Sequence, residues 1–105
     1  MVVEVSRYIR EHLSESITVE GMAQALCRGR SRLSTDFKKE TGETLSHFIQ
    51  KQKIEESMRF LRYTDKTAVE IALYLGFSSQ SHFCRVFKTV TGETPQEYRR
   101  RKRPN

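Results

Sequence analysis

Arg30, Ser31, Ser34 and Thr35 have counterparts in Gln80, Ser81, Cys84 and Arg85. Both sets share one spacing, that of neighbours on a single helix face. Neither set contains an aliphatic residue or a carboxylate, although Asp36 stands at the margin of the first. Such groups offer hydrogen bonds at a fixed pitch. An Arg can bond guanine O6 and N7 together, a Gln can do the same to adenine, and hydroxyls serve either. Around them stand Arg32, Lys38, Lys39, His82 and Lys88. Lysine is a point charge suited to phosphate. A solvated helix face is also rich in Ser, Lys and Arg, so one such face would say little. Two at matching places say more.

The remaining chemistry is mostly excluded. His12, His47 and His82 are far from one another and show no ligand spacing to carboxylates or to Cys27 and Cys84, which fit no C-x-x-C pattern. No metal-ligand spacing, Gly-rich phosphate loop or nucleophile elbow occurs, so no catalytic residue, metal or cofactor is expected. No stretch reaches the ~18 apolar residues of a membrane span, and no signal peptide opens the chain. A reduced, cytoplasmic protein with free thiols is the expectation. Nineteen basic against thirteen acidic residues give a net charge of +6. That excess favours a polyanionic partner through counterion release and steering.

The faces must be carried by repeated elements. Phe37 to Thr44 returns fifty positions later as Phe87 to Thr94. The quartet Val19, Met22, Ala23, Leu26 returns after forty-nine as Ala68, Ile71, Ala72, Leu75. The difference of one puts an extra residue in the second copy's turn. Such a period in 105 residues means two copies of one helical unit. Each is too small to bury much surface alone. With 36% apolar residues and no Trp, thin helical layers are expected.

About seven helices and no strand follow from the periodicity. Val5, Ile9 and Leu13 mark a first helix over about 3–13, and Thr18 caps a second ending near Cys27. Gly29 marks a turn, and a third helix carries Leu33 and Phe37 inward to Gly42. Thr44 opens a long helix to about Arg62, roughly 28 Å at the usual rise. Thr67-x-x-Glu70 is a capping box, Gly76 a turn, and Ser78 or Ser79 the next cap. Thr94-Pro95-Gln96-Glu97 starts the last helix, which ends in the basic run Arg99 to Arg103. The fold expected is all-α: two helix-turn-helix sub-domains, 1–43 and 64–105, joined by a connecting helix over 44–63. Such a connector can set two reading helices about one DNA turn apart.

Ile71 to Lys88, followed by Thr91-Gly92-x-Thr94-Pro95-x-x-Tyr98-Arg99, resembles the signature of AraC/XylS-type transcriptional regulators. Phe37 to Gly42 resembles that family's first unit, and the likeness extends from about Ser6 to Arg101. It implies a bipartite double-stranded DNA-binding domain that regulates bacterial promoters, usually as an activator acting through RNA polymerase. Base reading would fall to Arg30, Ser31, Ser34 and Thr35 in the first unit. In the second it would fall to Gln80, Ser81, Cys84 and Arg85. Arg32, Lys38, Lys39, His82 and Lys88 would touch the DNA backbone. Dimerisation, where it occurs, would use a domain absent from this chain.

The first unit departs from the pattern. Gly29 replaces a capping Ser, and Asp36 replaces an apolar residue, Val86 in the second copy. An i,i+4 pair of Asp36 with Arg32 is expected. Phe37, Phe48, Phe83, Phe87 and Tyr98 are expected in the core. Cys84 is expected as a small packing or contact residue rather than a redox sensor, and Arg99 to Arg103 as solvated. The rival reading is a basic helical protein-interaction adaptor. RNA is a weaker one, because its major groove does not admit a helix.

Overall fold

The computed structural model describes residues 1–103; residues 104 and 105, placed by sequence in the second sub-domain, lie outside the described residues. Every regular element among the described residues is a helix. In order they are α1 (Val2–Glu11), α2 (Val19–Ala25), α3 (Arg30–Thr41), α4 (Leu45–Tyr63), α5 (Ala68–Tyr74), α6 (Gln80–Thr91) and α7 (Pro95–Lys102). Compactness divides the chain inside α4: one unit is Met1–Gln52, and the second begins at Lys53.

In the first unit Val5, Ile9, Met22, Ala23, Leu33, Phe37, Leu45 and Ile49 are buried together. These are the apolar stripes of α1 to α3 and the start of α4, so the one-turn spacing of the sequence became one core. Phe48 packs against that core only half-buried, its ring 5.1 Å from Phe37. In the second unit Ile54, Leu61, Ile71, Leu75, Phe83, Phe87 and Tyr98 are buried. Their aromatic rings form a chain, Phe83 to Phe87 at 5.9 Å and Phe87 to Tyr98 at 5.7 Å.

Caps set the helix starts. The Thr18 hydroxyl accepts from Gly21 N–H, and Thr67 and Thr94 form complete capping boxes with Glu70 and Glu97. Ser79, not Ser78, caps α6 by accepting from His82 N–H at 3.0 Å. The α2–α3 connection occupies 26–29 and the α5–α6 connection 75–79, so the extra residue lies where the repeat offset put it.

The first turn takes its left-handed bend without a glycine. The left-handed residue of the first is Cys27, at φ 56°, not Gly29, which is extended and serves as the N-cap of α3. Gly76, at φ 75°, is its counterpart. In both turns the next N–H closes back on the helix, Arg28 to Ala23 O and Phe77 to Ala72 O, each at 2.9 Å. The hydrogen bonds fix the bend; the residue type merely tolerates it.

The repeated Thr-Gly-Glu-Thr is a hinge of its own. Gly42 and Gly92 sit at φ 83° and 87°, and the N–H of each donates to the carbonyl of Lys38 or Lys88 at 2.8 Å. Thr41 and Thr91 hydroxyls donate to Phe37 and Phe87 carbonyls, again at 2.8 Å. Lys51 then reaches back eight positions to Glu43 at 3.2 Å, and Arg101 reaches back eight to Glu93, its Nε at 3.3 Å. The likeness of the two sequences here is scaffolding.

Candidate nucleic-acid interface

α3 and α6 each bury one stripe and show the other. Leu33 and Phe37 hold α3 to its unit; Phe83, Val86 and Phe87 hold α6. Geometry then turns Arg30, Ser31 and Thr35 outward, with Ser34 half-buried. On α6, Gln80, Ser81 and Arg85 are exposed and Cys84 is half-buried. Arg32, Lys38, Lys39 and Lys88 are exposed too. Within each unit the expected readers therefore share a helix face, and none is in the core.

Details distinguish the two faces. The α3 start has no side-chain cap, because Gly29 has none to offer, whereas α6 is capped by Ser79. Arg32 Nε lies 3.7 Å from Asp36, an exposed pair of the expected i,i+4 kind. Such a pair contributes only ~0.3–0.5 kcal/mol, so it leaves Arg32 able to exchange partners. Beside α3 an open groove is lined by Val19, Ser34, Thr35, Lys38, Lys39 and Ser46. Two hydroxyls of the α3 outer face thus line one groove with two ammonium groups and the first turn of α4. Ser46 was not among the residues singled out from the sequence, since only tertiary packing brings α4's first turn beside α3.

His82 is more constrained than its place suggests. Its Nδ1 lies 3.1 Å from the Ser78 hydroxyl, and its ring stands edge-on to Phe77 at 5.4 Å. Burial pushes the Cys84 thiol up from its usual range, so it stays protonated and a weak nucleophile.

The terminal basic run is not simply solvated, as the sequence suggested. The Arg99 guanidinium donates to the carbonyls of Leu61 (3.0 Å), Thr64 (3.0 Å) and Lys66 (2.6 Å), closing the end of α4. Arg101 pairs with Glu93 and Arg103 with Asp65. The last carbonyls of a helix lack intrahelical partners, and a guanidinium carries enough donors to satisfy several. Among the described residues no cluster of metal-ligating side chains occurs, and no helix is long and apolar enough to cross a membrane.

A family model described as a helix-turn-helix domain matches residues 22–101. The xylose operon regulatory protein of Escherichia coli is 36% identical over 98 residues, covering 93% of this chain. The C-terminal domain of AraT, a response regulator from Geobacillus stearothermophilus, superposes with a TM-score of 0.93 at 30% identity, covering 99% of this chain and 87% of that one. The DNA-binding domain of AdpA, a global transcriptional factor solved in complex with a target DNA, gives a TM-score of 0.87 at 27% identity, covering 94% and 89%. The chain spans 13% of the length of an HTH-type regulator from Staphylococcus aureus that it matches, and 25% of the xylose operon protein.

Proposed function

The chain belongs to the AraC-type helix-turn-helix family, and from that premise we propose that α3 and α6 enter successive major grooves of one duplex and read its sequence. DNA binding within transcriptional regulation is the family's business, and the family is not one of enzymes. The finer reading rests chiefly on one observation. The second helix of each helix-turn-helix pair presents hydroxyl, amide and guanidinium groups outward, while Leu33 and Phe37 of α3 and Phe83, Val86 and Phe87 of α6 are buried.

In this reading Arg30, Ser31, Ser34 and Thr35 meet base edges in one groove, and Gln80, Ser81, Cys84 and Arg85 in the next. Arg32, Lys38, Lys39 and Lys88 hold phosphates, and His82 reaches the backbone only if it leaves Ser78. The sub-domains are 1–43 and 64–105, with 44–63 as connector. A continuous 19-residue helix, without Gly or Pro, supports that role. The protein acts in the cytoplasm on double-stranded DNA, as an activator that touches RNA polymerase; any dimerisation belongs to a domain outside this chain.

The test is selection from randomised duplex DNA, repeated with Arg85→Ala. The wild-type chain should enrich a site about 20 base pairs long, given grooves ~34 Å apart. Arg85→Ala should cost ~1–3 kcal/mol there and relax preference at one base pair. Equal losses on selected and random duplex would make Arg85 a phosphate contact. No enrichment at all would favour the adaptor reading, and in vitro transcription from the selected site decides activation.

A further inference from the structure

The turn that seats α6 is gripped by one side chain from α4. Lys53 is only 5% exposed, and its Nζ donates to the carbonyl of Leu75, the residue that closes α5. The same ammonium lies 5.8 Å from the centre of the Phe77 ring. Phe77 in turn meets the first turn of α6 through His82 at 5.4 Å and Phe83 at 5.3 Å. Burying an ammonium is costly unless it finds an acceptor. Here the negative end of α5 and the face of an aromatic ring both attract it.

The duplication supplies an internal comparison. Forty-nine positions before Lys53 stands Glu4, and forty-nine before Phe77 stands Arg28. Arg28 Nη2 donates to Glu4 Oε1 at 2.9 Å, with side chains 40% and 45% exposed. The same two places are therefore tied in both units, by a solvent-facing ion pair in one and a buried ammonium in the other. The connection persists while its chemistry is exchanged, which points to geometry as the thing maintained.

We infer that Lys53 is a positioning residue for base reading by α6. It holds the 75–79 turn and, through Phe77, the rotation that aims Gln80, Ser81 and Arg85. The inference rests on the proposed DNA-reading function and adds a residue that touches no DNA. Binding constants for the selected site and its single-base variants, across a salt series, test it with Lys53→Met and Phe77→Leu. Lys53→Met should lower discrimination about tenfold, a loss within the range of one bidentate base contact. That loss should fall at the base pairs relaxed by Arg85→Ala and spare those read by α3, with an unchanged salt slope. Phe77→Leu, which keeps the ammonium–carbonyl bond, should give a smaller loss at the same base pairs.

Full discrimination in Lys53→Met with a lowered Tm overturns the inference, because the lysine then only stabilises. A salt slope reduced by about one also overturns it, since that marks a phosphate contact. If Lys53→Met does not fold, unchanged discrimination in Phe77→Leu has the same force. A wild-type chain that selects no sequence sinks the DNA-reading proposal, and this inference with it.

Discussion

Cys27 occupies a backbone conformation that costs an L residue roughly 1–2 kcal/mol, and its counterpart is glycine. Cys27→Gly should therefore raise stability by about 1 kcal/mol, part of the relief being lost to the freer unfolded chain. For a domain this size that is a Tm gain of about 4–8 °C, read from a thermal melt. A Tm that fell would show the thiol making contacts worth more than the strain. The sequence marked a turn at Gly29, which does lie in the connection, as the N-cap of α3. It could not show that the hydrogen bond from Arg28 to Ala23 places the bend two residues earlier. Lys53 was hidden for a related reason. A lysine in a helical pattern reads as solvent-facing, and only the carbonyl end of α5 makes its burial tolerable. The outer faces of α3 and α6 were legible, because they follow directly from the apolar stripes behind them.

At the scale of elements, the capping boxes link stability to pH. Hydrogen bonds from the Thr67 and Thr94 backbone N–H groups hold the Glu70 and Glu97 carboxyls below their ordinary value of 4.5. A lowered folded value means these caps stabilise α5 and α7 fully above the unfolded value, and that the contribution is lost as pH falls through the folded one. Glu43 adds to the trend: partial burial opposes its ionisation, but hydrogen bonds from Lys51 and His47 outweigh that. Melts between about pH 6 and pH 3 should show Tm falling on the acid side. The Glu70→Gln, Glu97→Gln pair should flatten that fall, and an unchanged slope would exclude the caps as its source. Helix starts were legible because caps are local: Thr18, Thr67 and Thr94 each satisfy an N–H three residues on. The eight-residue reach of Arg101 to Glu93 was not, since it depends on the bend between them.

For the whole molecule, the duplication itself was the clearest thing in the sequence, and its one-residue offset reappears in the longer second turn. The proposed pairing of grooves has a consequence in solution. Two sites engaged by one chain raise each other's effective concentration, provided the geometry allows both at once. Inserting about five base pairs between the two half-sites turns them to opposite faces of the duplex. Affinity should then drop to that of a lone half-site, measured by titration of labelled duplexes. Undiminished affinity would mean that the units bind without a shared register.

The two hinges are built alike, while the faces they support differ: Ser31, Ser34 and Thr35 on one, Gln80, Ser81 and Arg85 on the other. Identical subunits facing each other would demand a palindrome. On the proposed reading of both grooves, unlike faces on a single polypeptide would instead give the bound complex a heading. One molecule would then suffice to distinguish upstream from downstream, and a reversed target would present it with the wrong letters in both grooves.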